Sequence, residues 1–383
     1  YDGDESFKIK RSKIRGQISN GMICGPDEIG LGPKTDGIME LPDDAEVGMA
    51  GANYFNINED IVFEIGLTPN RSDAMSHIGV ARDLKAVLNS RGDDLKMCMP
   101  SIKDFKIDNK DLTIDVKIES ESLCPRYSGV SISNVTVNES PDWLKHKLLS
   151  IGINPINNIV DVTNYVLHET GQPLHAFDTE KILGKEIIVK TLSNDTNFIT
   201  LDESNRKLSD NDLMICNAKE PMCIAGVFGG LDSGVTKNTN SIFIESAYFD
   251  PTSIRKTAKY HKLNTDASFR YERGCDPNIT VYALKRAALL IQELCGGVIS
   301  SDVVDVYPNP IEDFSINFSF NNLNKLIGEE LDRNLVKSII KNLEIKILEE
   351  NDDTLSLLVP PYRTDVRREV DVIEDILRIY GFN

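Results

Sequence analysis

Apolar and polar positions change period several times along this chain, and each change predicts an element. FKIKRSKIRG alternates with a period near two and runs into the Gly- and Pro-punctuated SNGMICGPDEIGLGPKTDG, which predicts short strands and turns of a small β domain. IVFEIGLTPNRSD predicts a strand, a proline turn and a capping Ser72 or Asp73. MSHIGVARDLKAVLNSRG then switches to helical spacing, with Ile78, Ala81, Leu84 and Val87 on one face of a helix ending near Gly92.

KIDNKDLTIDVKIES and RYSGVSISNVTV predict paired strands, and PDWLKHKLLSIG a helix with Pro141 in its first turn. Over 157–304, strands (EIIVKTL, LMICNA, IFIESAYF) mix with helices (160–168 and 278–295), a stretch of a size for one domain. YPNPIEDF, with two prolines and two acids, is the best linker candidate. Beyond it, strand SINFSF, helices NNLNKLIG and DRNLVKSIIKNL, strand TLSLLVP and a last helix over about 366–380 form a compact unit. The whole predicts an α+β multidomain chain without internal repeats.

Composition narrows the class. The 383 residues allow roughly two to four domains, and 40% hydrophobic with 27% charged residues suits a globular protein. No apolar run reaches the roughly 18 residues of a membrane span and no leader pattern is present, so a cytoplasmic protein with no membrane partner is expected. Seven scattered cysteines without a CxxC pair predict reduced, structural thiols. The start at Tyr1 and the stop at YGFN predict a piece of something longer. A net charge of -18 argues against the whole surface binding nucleic acid. Two local runs oppose that sign: Lys8, Lys10, Arg11, Lys13 and Arg15, and the stretch 255–273, with six Lys or Arg against two acids. Taken alone, each is an ordinary solvated face.

Candidate chemistry is sparse by motif. G-x-S-x-G, the P-loop and H-E-x-x-H are missing. AGVFGG lacks the dinucleotide spacing; close approach of its backbone to a ligand and a tight turn in a sheet are equally good readings. His168 and His175 are seven residues apart, but Gly171 and Pro173 break the helix between them, which leaves His175 on a loop as a hydrogen-bonding group. Asp371, Glu374 and Asp375 share a helical face, with Asp365 upstream, and could hold a hard cation. An acidic first turn complementing the helix dipole accounts for them as well, and on the residues alone is preferred.

SNGMICGPDEIGLG, TPNRSDAMSHIGVARDL, VDVTNYVLHETGQPLHAFD, FGGLDSGV, HKLNTDASFRYERGCDP and YRTDVRREVDVIEDILRIYG occur in this order. Together they resemble the bacterial phenylalanyl-tRNA synthetase beta chain family over essentially the whole chain. The resemblance implies a remnant of the tRNA-binding OB-fold domain (1–57), part of a small B1-like domain (58–92), a mixed α/β B3/B4 editing domain (93–306) and a small α+β B5 domain (311–383). It implies an alpha chain as partner in an alpha2beta2 tetramer, tRNA(Phe), ATP used by the alpha chain, and Mg2+ shared with it at Asp365, Asp371, Glu374 and Asp375. Asp375 is shorter than the family's usual glutamate, and this match reverses the preference for a dipole-complementing face. Aminoacylation by this chain alone is not expected.

By the same resemblance an editing site would hydrolyse mischarged Tyr-tRNA(Phe). His175, Thr265 and Gly229 would position water, Glu245 would read the tyrosine hydroxyl, and Ala267 would leave room for the ring. Asn154 stands where an arginine is usual, which puts one contact to the terminal adenosine in doubt. A second expectation is a noncatalytic tRNA-binding and assembly module with a decayed site; a third, an autonomous nucleic-acid regulator, is disfavoured by the -18 charge.

Overall fold

The computed structural model describes residues 9–31, 37–55 and 60–381; Lys8 of the first basic run and the boundary expected at 57/58 lie outside them. The chain divides into two units, 1–61 and 62–383. In the first, the strands Ser12–Ile14 and Gln17–Ser19 pair antiparallel about Arg15 and Gly16, both at positive φ, and a single helical turn covers Gly51–Tyr54. The short exposed strands expected there are present.

In the second unit the strand expected at IVFEIGLT does not form. Residues 62–68 have no regular structure and Phe63 is 81% exposed, because no described strand lies beside them to complete a ladder. The helix His77–Ser90 does form, capped by Ser76, whose Oγ accepts from the Gly79 N–H at 3.0 Å. Its buried face is rotated from the expected one. Leu84 is exposed and Ala86 fully buried, since a small residue lets this helix approach the helix Arg333–Asn342 closely.

Paired strands were expected from KIDNKDLTIDVKIES and RYSGVSISNVTV, but the two segments enter different sheets. Arg126–Ser133 is buried on both faces and takes an interior place, between Ile242–Tyr248 and the short strands Val298–Ile299 and Val304–Val306. The strand Leu174–Asp178 completes this first sheet beyond Ile242–Tyr248. The half-exposed Asp115–Ile118 instead runs parallel to Glu186–Thr191 at the edge of a second sheet, which continues through Leu213–Cys216, Pro221–Ile224 and Phe228–Gly229.

Alternation on the first sheet makes two cores. Val130, Ile132, Ile242 and Ile244 face the helices Asp142–Ser150, Asn158–Thr170 and Thr280–Cys295. Tyr127, Phe177, Phe243 and Ala247 face the second sheet through Ile187, Ile215 and Ile224. Pro141 stands just before its helix, at the N-cap. The helices Pro251–His261 and Asp266–Tyr271 escaped the periodic reading; cations and hydroxyls fill most of their positions.

Residues 307–313, the linker candidate, have no regular structure. After them a three-stranded antiparallel sheet (Phe314–Ser319, Thr354–Val359, Lys346–Glu350) carries the helices Phe320–Ile327, Arg333–Asn342 and Glu369–Tyr380. The last helix starts three residues later than its apolar period suggests, because Arg368 is extended at the N-cap position, where its N–H donates to the Asp371 carboxylate.

Candidate editing site

Glu245 lies in the middle of the strand Ile242–Tyr248, in register with His175 on one side and Gly129 on the other. Alternation turns it away from Ile244 and Ser246, onto the face of Phe243 and Ala247. Gly129 makes that arrangement possible: a Cβ there would stand 2.1 Å from the Phe243 ring. Glu245 is 4% exposed, and its Oε2 accepts from the Tyr127 hydroxyl at 2.8 Å. Burial without a cation pushes the carboxyl up to about 7, with the Tyr127 hydrogen bond pulling the other way.

His175 was expected on a loop but lies in the strand Leu174–Asp178, since the chain re-enters the sheet directly after Pro173. It meets the Phe177 ring edge-on at 4.4 Å, and its Nε2 is buried with no partner among the described residues. Burial lowers its pKa to about 4, so the ring is a neutral imidazole. Gly229 flanks it, a Cβ at that position falling 3.4 Å from His175 Cε1. Within the same glycine run, Gly226 has φ +64 and a Cβ there would strike the Phe249 and Tyr271 rings at 2.8 Å. The run therefore serves both as a turn and as a close approach of backbone to its surroundings.

Thr265 caps the helix Asp266–Tyr271. Its Oγ1 accepts from the Ser268 N–H at 3.1 Å and donates to the Val227 carbonyl at 3.0 Å, so its proton is already engaged. Ala267, on that helix, packs half-buried against the core that contains Tyr127 and Phe243. His175, Gly229 and Glu245 are thus brought together directly, with Thr265 tied to them through Val227. Asn154 is not among them. It is exposed on the loop after Asp142–Ser150, where its neighbour Ile153 packs into the helical core on the other face of the sheet.

Tyr127 was missed. The period-two pattern of RYSGVSIS places it on a buried face, and a buried phenol needs a partner; that signal could have found it.

The basic stretch 255–273 splits in two. Arg255, Lys256, Lys259 and Lys262 are exposed and make no ion pair with any described residue. Arg270 is buried, bonded to Asp266 and to His168 Nδ1 at 3.2 Å, and Arg273 pairs with Glu272 over the Phe269 ring. His168 falls to about 4, chiefly by burial and then by Arg270.

The four carboxylates expected to share an ion are not gathered. Among the described residues no group of three or more His, Cys, Asp or Glu could hold a metal. Asp375 is buried against Arg363 and Arg378, and Asp371 accepts from the Arg367 and Arg368 N–H groups and from the Arg368 side chain. Burial opposes the charge of Asp371, but these donors outweigh it and hold the carboxyl low. Glu374 is exposed. Asp365 accepts from Asn70 Nδ2 at 2.9 Å, its other oxygen is buried without a partner among the described residues, and burial raises its carboxyl. As they stand, cations and N–H donors occupy two of the four, and the set does not fit a magnesium ion.

Residues 123–296 match the B3/4 domain and residues 316–382 the tRNA synthetase B5 domain. Across the chain, identity to the phenylalanine–tRNA ligase beta subunit is 56% in Bacteroides fragilis, 57% in Bacteroides thetaiotaomicron and 52% in Porphyromonas gingivalis, over 383, 383 and 384 residues. The chain belongs to the phenylalanine–tRNA ligase beta-subunit family. It is covered completely in these alignments but spans about half, 47%, of the curated relatives it matches. The group around Glu245 lies within the B3/4 region of this family, and the four carboxylates within its B5 region. A solved N-terminal fragment of the phenylalanyl-tRNA synthetase beta-subunit from Pyrococcus horikoshii is far more distant, at 16% identity and a TM-score of 0.39 over 82% of this chain and 86% of that one. No described helix is long and apolar enough to cross a membrane.

Proposed function

We propose that this chain carries the editing part of a phenylalanine–tRNA ligase beta subunit and that the group around Glu245 hydrolyses tyrosine esterified to tRNA(Phe). The observation that carries the reading is a buried carboxylate with no cation, in register with His175 and with one oxygen unengaged by any described residue. Tyrosine is phenylalanine plus a hydroxyl, and an apolar pocket rejects an added hydroxyl by only about a hundredfold, so a second, hydrolytic site is needed. The substrate phenol donates to Glu245. Water, held at His175 Nε2 and the backbone at Gly229, adds to the ester carbonyl carbon. The bond from that carbon to the ribose oxygen breaks, the ribose oxygen takes the water's proton, and free tyrosine and tRNA leave. Positioning supplies a large part of such a barrier.

The exposed cations Arg255, Lys256, Lys259 and Lys262 suit the tRNA backbone. By family we extend to this chain an alpha subunit as partner, an alpha2beta2 assembly in the cytoplasm, and ATP consumed on the alpha subunit. A shared magnesium ion would require Arg363 and Arg378 to release Asp375, and Arg368 to release Asp371, on assembly. A noncatalytic tRNA-binding module is the second reading. It is favoured by the near-complete burial of Glu245 and by the engaged Thr265 proton.

Deacylation of Tyr-tRNA(Phe) and Phe-tRNA(Phe) by the alpha–beta complex decides between them. Hydrolysis of the tyrosyl ester is expected, with Glu245→Ala narrowing the tyrosine-to-phenylalanine ratio and His175→Ala slowing both esters. A parent complex inert toward both esters establishes the second reading.

A further inference from the structure

Glu245 is held by one arm. Tyr127 is fully buried on the adjacent strand Arg126–Ser133, diagonal to Glu245, and its hydroxyl donates to Oε2 at 2.8 Å. No described residue donates to Oε1, and the residue keeps a small exposed area. The other titratable groups near it are Cys124, Cys223 and Tyr271, with His175 opposite on the neighbouring strand. Burial raises the thiols and phenols and lowers the imidazole, so all are neutral near pH 7 and none competes as a cation.

We propose that Tyr127 is a positioning residue: its phenol occupies Oε2 of Glu245 and leaves Oε1 as a lone acceptor, so that the pair selects a para-hydroxyphenyl group over a phenyl group. The chain's own phenol takes one of the two places a phenol can take on this carboxylate, and it fixes the rotation of the carboxylate plane for the second. A carboxylate held this way accepts from a bound phenol at no further cost in side-chain freedom. A phenyl group in the same place leaves Oε1 unpaired away from water. This rests on the reading of the site given above, but concerns binding, which can be measured apart from hydrolysis.

The test uses the alpha–beta complex and two adenosines carrying tyrosine or phenylalanine through a non-hydrolysable amide link, with affinities measured by calorimetry between about pH 5 and 9. The parent is expected to prefer the tyrosyl compound, with the preference rising as Glu245 ionises. Tyr127→Phe removes one oxygen from the core; the preference should fall about tenfold and the midpoint of its rise should move to higher pH. In a Glu245→Gln background Tyr127→Phe should have no further effect on the preference. An unchanged preference and midpoint in Tyr127→Phe, or an equal loss in the Glu245→Gln background, overturns the proposal. Should Tyr127→Phe not fold, 3-fluorotyrosine at position 127 donates more strongly and must move the midpoint down; an unmoved midpoint overturns it equally. Retained preference in a complex that hydrolyses neither ester sinks the hydrolytic reading alone.

Discussion

Glu245 and the half-buried His168 and His175 set opposite pH ramps on stability. The folded pKa of Glu245, about 7, lies above its ordinary 4.5, so its contribution is full below pH 4.5 and is lost as pH rises to about 7. His168 and His175 are lowered from 6.5 to about 4, so theirs is full above pH 6.5 and is lost as pH falls to about 4. Glu245→Gln should therefore stabilise the protein at pH 8, by up to about 3 kcal/mol, and leave it nearly unchanged at pH 4, as read by urea denaturation at both values. An equal effect at both would mean that Glu245 is ionised at no cost. The side to which Glu245 points was legible in IFIESAYF. Its protonation was not, because that depends on which groups from three other strands and a helix surround it.

At the scale of elements, the helix Asp266–Tyr271 depends on its first residue. Thr265 both caps it and ties it to Val227, so Thr265→Ala should cost about 1 to 2 kcal/mol, most of which Thr265→Ser should recover, in thermal or chemical denaturation. If only the alanine variant also changes hydrolysis, the threonine acts on the reaction by holding the helix in place. Gly129 is the second control point. Gly129→Ala places a methyl group into the Phe243 ring beside Glu245 and should destabilise by about 1 to 3 kcal/mol while disturbing the site, measured as reduced thermal stability together with a lowered tyrosyl-ester hydrolysis rate. Neither role could be read from periodicity. A cap is visible in NTDAS, but its bond to Val227 joins residues 38 positions apart, and the ring over Gly129 joins strands far apart in sequence.

Across the second unit, a network of three arginines and three aspartates ties residues 71–83 to the last helix. Arg71 binds Asp73 and Asp83, Arg363 reaches Asp73 and Asp375, and Arg378 reaches Asp83 and Asp375. The side chains of Arg363 and Asp375 are 3% and 6% exposed, whereas Arg368, paired with Asp371, is 75% exposed. Arg363→Met should cost about 1.5 to 3 kcal/mol, because Asp73 keeps Arg71 and Asp375 keeps Arg378 but each loses one of its two cations. Arg368→Ala should cost about 1 kcal/mol or less. Hydrogen exchange should show the first variant loosening His77–Ser90 together with Glu369–Tyr380, and the second leaving both protected.

Periodicity and end signals alone determined most of the helices and two of the three strands of the last module, because each is written in the spacing of its own apolar residues; Lys346–Glu350, mostly polar and exposed, was not legible that way. Six ordered motifs carried the family, since runs of that length in that order are too specific to match by chance. The pairing of strands was decided only in three dimensions. Asp115–Ile118 and Arg126–Ser133 alternate alike, yet burial on one face or two sends them to different sheets. The exposed segment 62–68 has a strand's alternation without a strand's neighbour. Carboxylates that share a helical face looked like a ligand set until Arg363 and Arg368 were found beside them. A side chain's spacing follows from its own segment, but its charge, partner and solvent access are set by whatever else the fold brings within a few ångströms.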